Sequence, residues 1–206
     1  SKEHYLTEIR AVITKCTFSY TRQIEMKGLG HAILCGETLI GDQPFAVLLA
    51  DDLCDAPGKG VLAQMVDLYK KYGCSIVAIE EIPKEDTNKY GVIAGNEIEP
   101  GIYMVKDMVE KPEPEVAPSN LAIIGRYILT PDIFNIIRET KPGKGGEIQI
   151  TDALLTQAKK GMVLAFKFEG QRFDCGSIDG FVKATNYFYD KETKKEAAAK
   201  KASGAK

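Results

Sequence analysis

The chain has 206 residues, of which 44% are hydrophobic and 27% are charged, which is ordinary for one globular domain with a substantial core. Its formal net charge of −2 excludes the basic surface by which proteins hold nucleic acids, so no nucleic-acid partner is expected. No apolar run approaches the roughly 20 residues that a membrane-spanning helix needs, so no membrane association is expected.

Cysteine usage and the first residues predict the cellular compartment. The five cysteines are an odd number and have neither paired nor metal-ligand spacing. Cys35 and Cys74 lie in apolar segments, where they behave as small core residues. The segment 1–4 has no apolar signal core. These features predict a soluble protein in the reducing cytoplasm.

The first elements in chain order are a helix, a strand and a glycine-rich helix start. Residues 5–14 carry apolar side chains at helical spacing, and residues 16–23 alternate strand-forming residues. Gly28 and Gly30 then open a helix, where a ligand could approach the backbone N–H groups at its positive end. A single Gly-x-Gly is more often a plain helix start, and the adjacent His31 is first a capping or core residue.

Residues 45–50 form an apolar run that ends at Asp51 and Asp52. Such a run predicts a strand buried on both faces, as in a parallel sheet. Ligands of open α/β sheets bind at the carboxyl ends of the strands, so a metal or phosphate site is expected at these aspartates. A plain turn or helix cap is the alternative, because Asp favours both.

A βαβ unit follows, and it makes the protein α/β. Residues 58–72 have the apolar stripe of an amphipathic helix, Gly73 ends that helix, and residues 74–79 read as a second buried strand. Strands are also predicted at 90–95, 102–109, 121–129, 163–168 and 172–177. Helices are predicted to start near residue 130 and to span 147–160 and 178–189.

Two further positions suggest a site. Gly91 lies within a predicted strand, where glycine marks a bulge or the close approach of backbone to a ligand. Glu110 and Lys111 emerge together at the end of another predicted strand and are followed by Pro112. Solvated surface charges are the plainer interpretation of this pair.

Taken together and in order, these motifs resemble those of the sugar-phosphate nucleotidylyltransferases, and among them the bacterial UTP–glucose-1-phosphate uridylyltransferases. The likeness runs from about Cys16 to Tyr189. The motifs that carry it are Gly28-Leu29-Gly30-His31-Ala32, Leu49-Ala50-Asp51-Asp52, Tyr90-Gly91-Val92, Val109-Glu110-Lys111-Pro112, 116–122, Gly146-Glu147-Ile148-Gln149 with Thr151-Asp152, and Phe173-Asp174-Cys175-Gly176.

This resemblance implies a Rossmann-like α/β fold with a mixed, mostly parallel sheet flanked by helices. Residues 1–190 are then a single nucleotidylyltransferase domain that corresponds to the C-terminal two-thirds of the family's enzymes. Residues 191–206 are rich in Lys, Ala and Glu and lack large apolar side chains, so they predict a solvated tail, either a helix extension or a frayed end.

The reaction implied by the resemblance joins UTP and glucose-1-phosphate into UDP-glucose, with release of pyrophosphate. Asp51 and Asp174 match the two family aspartates that hold Mg²⁺, which typically takes one or two carboxylates besides phosphate oxygens and water. Only the family register favours Asp51 over Asp52 as the ligand. With Lys111, these two aspartates form the expected catalytic set.

The resemblance also assigns substrate contacts. Glu110 matches the carboxylate that accepts hydrogen bonds from glucose hydroxyls, and Lys111 matches the cation on the sugar phosphate. Gly91 matches the backbone contact with the sugar. Gln23 and Gly28 match the positions that read the uracil edge. A homodimer or homotetramer is also implied.

One departure keeps other functions open. The family starts with a Gly-x-Gly-Thr-Arg loop, shortly followed by a Lys-Pro element, and neither precedes Cys16 here. The 206-residue chain alone is therefore expected to have at most trace activity, because the loop's phosphate donors are missing. A non-catalytic sugar-phosphate-binding module of the same fold is one alternative. A GT-A-like glycosyltransferase, which consumes UDP-glucose, is another.

Overall fold

A computed structural model describes the backbone of residues 3–203 and the side chains of residues 3, 6, 7, 9–195 and 197. Seven α-helices lie in this part of the chain: α1 (Glu3–Ile13), α2 (Leu29–Leu34), α3 (Glu37–Ile40), α4 (Val61–Tyr72), α5 (Ile133–Glu139), α6 (Ile150–Ala158) and α7 (Ile178–Ser203). Two short 3₁₀ helices lie at Lys84–Lys89 and Lys144–Gly146. The strands are β1 (Phe45–Leu48), β2 (Asp52–Asp55), β3 (Ser75–Glu81), β4 (Gly91–Glu99), β5 (Ile102–Glu110), β6 (Leu121–Leu129), β7 (Val163–Lys167) and β8 (Gln171–Asp174).

Six strands form the central sheet in the order β1-β6-β3-β7-β5-β4. Strands β3 and β7 pair in parallel, whereas the described pairings β1–β6, β3–β6, β4–β5, β5–β7 and β4–β6 are antiparallel. The α/β class and the mixed sheet are confirmed, but parallel pairing is less frequent than expected. The reason is the position of β6 between β1 and β3. Strands β1 and β3 run in the same direction, but each pairs antiparallel with β6 instead of pairing with the other.

Strand β3 shows how the sheet is covered on both faces. Val77 and Ile79 belong to the apolar cluster that contains α5 and α6 side chains, and Ile76 and Ala78 belong to the cluster that contains Met65 of α4. Because successive side chains of a strand point to opposite faces, this alternation places helices on both sides of β3. The predicted doubly buried strand at 74–79 is therefore confirmed, with the strand running on to Glu81.

Two predicted strands differ from the structure. Residues 16–23 form no strand ladder, and Phe18 and Tyr20 are 55% and 89% exposed. Residues with high β-propensity form a strand only when they can pack against neighbouring strands, and this segment pairs with none in the described chain. Strand β1 exists, but it pairs within the described chain with β6 alone, and Leu48 is 50% exposed. The prediction that this strand is buried on both faces is therefore wrong.

Helix α7 continues the predicted helix 178–189 without a break to Ser203. Lys191 on this helix forms an ion pair with Asp55 of β2, with Nζ 2.5 Å from Oδ2. The first part of the predicted tail is therefore helical and attached to the fold, and residues 204–206 lie outside the described part. None of the helices seen here is long and apolar enough to cross a membrane.

Candidate active site

A short two-stranded ladder brings the two predicted metal-binding segments together. Strands β2 and β8 pair antiparallel, with Asp52 opposite Asp174. The neighbouring residues extend this contact, because the backbone N–H of Cys175 donates to the carbonyl of Asp51 at 2.7 Å. Residues far apart in the chain thus lie side by side, next to Gly125 of β6.

The carboxylates of Asp51 and Asp174 both border one small gap beside Gly176. A Cβ atom built on Gly176 would lie 3.2 Å from Oδ2 of Asp51 and 3.1 Å from Oδ1 of Asp174. A methyl group there would crowd both carboxylates, so glycine leaves room beside them. Two oxygens bordering one small gap are a fitting partial ligand set for a hard divalent cation.

Asp52 has a different environment from Asp51. It is 5% exposed, and its Oδ2 accepts a hydrogen bond of 2.6 Å from the N–H of Gly125. Its Oδ1 is paired with the guanidinium of Arg172. Both carboxylate oxygens of Asp52 are therefore engaged inside the protein, whereas Asp51 is exposed at the mouth of the cleft.

Arg172 is the buried cation of this region, with a side chain 7% exposed. Its Nη2 lies 3.3 Å from Oδ2 of Asp174, and its guanidinium carbon lies 5.0 Å from the ring centroid of Tyr90. The Tyr90 hydroxyl donates to the same Oδ2 at 2.8 Å. Burial alone would raise the pKa of Asp174, but the Tyr90 hydrogen bond, the Arg172 charge and the Gly176 N–H together lower it. Asp174 is therefore ionised at neutral pH.

The predicted sugar-binding residues form a second group, around Gly91. Glu110 is paired in register with Gly91, and its Oε2 accepts a 2.6 Å hydrogen bond from the Thr151 hydroxyl. A Cβ on Gly91 would lie 3.0 Å from that hydroxyl oxygen and 3.2 Å from Oε2 of Glu110. A side chain at position 91 would crowd both groups, whereas glycine leaves the Glu110 carboxylate accessible from the cleft.

Lys111 adopts a left-handed backbone conformation with φ of 48°, the one such non-glycine residue in the described chain. Its N–H donates to the carbonyl of Tyr90 at 3.0 Å, and its carbonyl accepts from Nζ of Lys144 at 2.8 Å. Its own Nζ lies 3.7 Å from Oε1 of Glu110. Backbone strain at a non-glycine residue is typical of functional sites and persists only where neighbours hold it.

Gln23 and Gly28 form a separate unit at the side of the cleft. Nε2 of Gln23 donates to the carbonyl of Gly28 at 3.1 Å and lies 3.0 Å from Nδ1 of His31. A Cβ on Gly28 would lie 2.7 Å from Cβ of Glu147, and Glu147 lines the cleft. These two predicted nucleotide-binding residues therefore lie behind the wall of the cleft rather than in its lining.

The cleft has a volume of about 340 Å³ and brings Asp51, Gly91, Glu110, Lys111 and Asp174 together. The sequence patterns assigned Asp52 only as the alternative to Asp51 and gave no role to the other polar residues of the lining, namely Lys89, Tyr90, Glu147, Gln149, Thr151 and Arg172. No sequence signal distinguishes a buried arginine from an exposed one. Acidic side chains outnumber basic ones in the lining, which suits a cation. No group of three or more His, Cys, Asp or Glu side chains in the described chain could hold a metal alone.

Glu80, at the end of β3, gives a stability prediction. Burial raises the pKa of Glu80, against the opposing charge of Arg172, whose Nη1 lies 3.6 Å from Oε2. Because the folded-state pKa lies above the unfolded value, the stability that protonated Glu80 contributes is present below the unfolded pKa of about 4.3 and lost as the pH rises through the folded pKa. Glu80→Gln should therefore raise the thermal unfolding midpoint at pH 7.5 and change it little at pH 4.

Thermal unfolding followed by circular dichroism at both pH values checks this result. Glu113→Gln, at an exposed position, is the control and should leave both midpoints unchanged. A Glu80→Gln variant that is less stable than the wild type at pH 7.5 would show that the contact with Arg172 outweighs the cost of burial.

Comparison with known proteins identifies the protein family to which this chain is similar. The model of the family described as nucleotidyl transferase matches residues 2–191. The UTP–glucose-1-phosphate uridylyltransferase of Pseudomonas aeruginosa is 67% identical over 190 residues, which cover 92% of this chain and 68% of that protein. The protein of the same name from Bacillus subtilis is 45% identical over 193 residues, covering 93% and 66%. The chain therefore spans about two thirds of the length of these relatives.

Solved structures agree with the sequence matches. A UDP-glucose pyrophosphorylase crystallised with UDP-glucose superposes with a TM-score of 0.90 at 63% identity, covering 92% of this chain and 73% of that one. A UTP-bound UGPase from Acinetobacter baumannii superposes with a TM-score of 0.74 at 33% identity, covering 91% and 67%. The resemblance found in the motifs is confirmed: the chain belongs to the nucleotidyl transferase family.

Proposed function

We propose that this chain carries the catalytic and sugar-binding residues of a UTP–glucose-1-phosphate uridylyltransferase. The observation that supports this most strongly is the cleft itself. The carboxylates of Asp51 and Asp174, beside Gly176, and the Glu110–Lys111 pair line the same cleft. This arrangement occurs in a chain that is 67% identical to an enzyme of that name.

The chemistry is a single displacement at phosphorus. A phosphate oxygen of glucose-1-phosphate attacks the α-phosphorus of UTP, the bond to the β-phosphate bridging oxygen breaks, and pyrophosphate leaves with that electron pair. No side chain needs to act as a nucleophile, so the residues contribute position and charge. Oδ2 of Asp51 and Oδ1 of Asp174 would hold Mg²⁺, which when bound supplies charge neutralisation for the phosphates.

The remaining residues orient the two substrates. Glu110 accepts hydrogen bonds from glucose hydroxyls, and the Thr151 hydroxyl fixes the direction of its carboxylate. Lys111 pairs with the phosphate of glucose-1-phosphate, from a backbone held in place by Tyr90 and Lys144. Gln23 and Gly28 support the uracil side from behind Glu147, and the amide nitrogen of Gln23 is already committed to protein acceptors.

The proposal is tested with a chimaera in which these 206 residues replace the matching segment of the Pseudomonas aeruginosa relative, called the full-length chimaera below. With UTP, glucose-1-phosphate and MgCl₂ it should form UDP-glucose and pyrophosphate in equal amounts. The 206-residue chain alone is assayed in parallel and should show at most trace turnover. An inactive but folded chimaera would contradict the proposal.

Two other functions are outcomes of the same experiment. UDP-glucose binding without any pyrophosphate exchange would favour a non-catalytic binding module. Consumption of UDP-glucose with transfer of glucose to an acceptor would favour a GT-A-like glycosyltransferase. The cytoplasm and a homodimer or homotetramer are proposed as the setting, and free cysteines in the described chain are compatible with a reducing compartment.

Thr151→Val should weaken binding of the sugar phosphate specifically. The variant keeps the shape of the side chain but loses the hydrogen bond to Glu110, a net loss of about 1 kcal/mol. In the full-length chimaera we expect the KM for glucose-1-phosphate to rise about fivefold, with the KM for UTP unchanged. Thr156→Val, on an exposed turn of the same helix, is the matched control. Equal changes in both KM values would contradict a role in sugar binding.

A further inference from the structure

The two oxygens of the Asp174 carboxylate have different surroundings. Oδ2 accepts the Tyr90 hydroxyl at 2.8 Å and lies 3.3 Å from Nη2 of Arg172. Oδ1 accepts the N–H of Gly176 at 3.1 Å and points toward the gap shared with Asp51. Oδ2 is therefore held by two side chains, whereas Oδ1 has one backbone donor and borders the position proposed for the metal.

Tyr90 and Arg172 are themselves fixed. The guanidinium of Arg172 is held by Asp52, lies near Glu80 and packs over the ring of Tyr90. The backbone of Tyr90 donates to the Thr87 carbonyl at 3.3 Å and accepts from Lys111 at 3.0 Å. Arg172 is thus held by residues of β2 and β3, and the backbone of Tyr90 is held by Thr87 and Lys111. Neither donor has much freedom to move with the carboxylate.

We propose that Tyr90 and Arg172 are positioning residues for the metal, because by binding Oδ2 they leave Oδ1 as the single ligand oxygen of Asp174. This inference rests on the proposed role of Asp174 as a metal ligand. Mg²⁺ requires near-ideal octahedral geometry, whereas a carboxylate that chelates through both oxygens suits the larger, more flexible Ca²⁺ shell. Hydrogen-bonding partners of a metal ligand typically change metal affinity by roughly 10- to 100-fold when they are removed.

Tyr90→Phe isolates the hydroxyl, because the ring that packs under Arg172 remains. The chain offers a matched control: the Tyr187 hydroxyl donates to Oδ2 of Asp55 at 2.7 Å, an equivalent tyrosine–aspartate hydrogen bond outside the cleft. Arg172→Lys is a second variant, since a lysine keeps the charge but cannot reach both Asp52 and Asp174 with separate donors.

The test uses the ¹⁵N-labelled 206-residue chain and Mn²⁺ alone as the probe, since Mn²⁺ favours the same oxygen ligands as Mg²⁺. In the wild type, the amide signals of Cys175 and Gly176 should broaden first. In Tyr90→Phe, the Mn²⁺ concentration that half-broadens these signals should rise about tenfold, with a similar rise in Arg172→Lys. Tyr187→Phe should titrate like the wild type.

The outcomes separate this inference from the proposed function. Tyr90→Phe and Arg172→Lys chains that titrate like the wild type overturn the positioning role but leave the metal site intact. Asp174→Asn should abolish the broadening, which tests the metal assignment on its own. Absence of broadening at Gly176 in the wild type would overturn both the metal site and the positioning role. If Tyr90→Phe fails to fold, as judged by its amide spectrum, Arg172→Lys decides the question.

Discussion

In the full-length chimaera, Asp174→Asn should lower metal-dependent UDP-glucose synthesis by about a thousandfold. Asparagine keeps the size of the side chain and can still accept the Tyr90 hydroxyl, so the β2–β8 ladder should persist. The negative charge on Oδ1, which borders the gap beside Gly176 with Asp51, is lost. A divalent cation then has one carboxylate instead of two, and the charge on the two anionic reactants is no longer neutralised in position.

Pyrophosphate release at saturating substrates, with MgCl₂ varied, measures this loss. Asp51→Asn should show a similar decrease, because its Oδ2 borders the same gap. Asp190→Asn, an equivalent change at an exposed position of α7, should retain wild-type turnover. Circular dichroism spectra that match the wild type would show that the fold is intact. Near-normal turnover in either cleft variant would refute the assignment of these aspartates to the metal.

Arg172→Met should destabilise the 206-residue chain by about 3–5 kcal/mol, lowering the thermal unfolding midpoint by about 10 °C. The cause is Asp52, which is 5% exposed and would keep one partner, the N–H of Gly125, for a buried negative charge. Methionine fills most of the volume of the arginine, so the loss of packing is small. Guanidinium chloride unfolding, followed by circular dichroism, gives the free energy directly.

A second arginine provides the control for this effect. Arg138 pairs with Glu37 on the surface, with a side chain that is 46% exposed, and Arg138→Met should cost less than about 1 kcal/mol. Adding Asp52→Asn to the Arg172→Met chain should recover part of the lost stability, because the unpaired charge is removed. Equal destabilisation by the two arginine variants would show that the buried ion pair has no special energetic role.

The elements with strong local patterns could be predicted from the sequence. The apolar stripe of α4, its end at Gly73 and the bounds of β6 agree with the structure, because each depends on residues close in the chain. The order of strands could not be predicted, since the insertion of β6 between β1 and β3 depends on contacts between distant segments. The segment 16–23 shows the converse: strand propensity without a partner strand produced a wrong prediction.

The candidate site could also be predicted only where its residues belong to local sequence motifs. Five of the predicted residues, Asp51, Gly91, Glu110, Lys111 and Asp174, line one cleft, and their individual roles remain predictions. The short strand β2 was missed, because Asp52–Asp55 has polar residues at both ends and pairs only with the distant β8. Arg172 was missed as a functional residue because arginines are mostly exposed, and its burial depends on Asp52, Glu80 and Tyr90 arriving from three other segments.

The most direct test of the central claim is the position of a divalent cation in the cleft. Crystals of the 206-residue chain grown with UDP-glucose and MnCl₂ would be measured for the anomalous scattering of manganese. We expect one strong peak between Oδ2 of Asp51 and Oδ1 of Asp174, within coordination distance of both and of the nucleotide phosphates. A manganese ion bound elsewhere, with nucleotide in the cleft and the gap beside Gly176 free of metal, would contradict it.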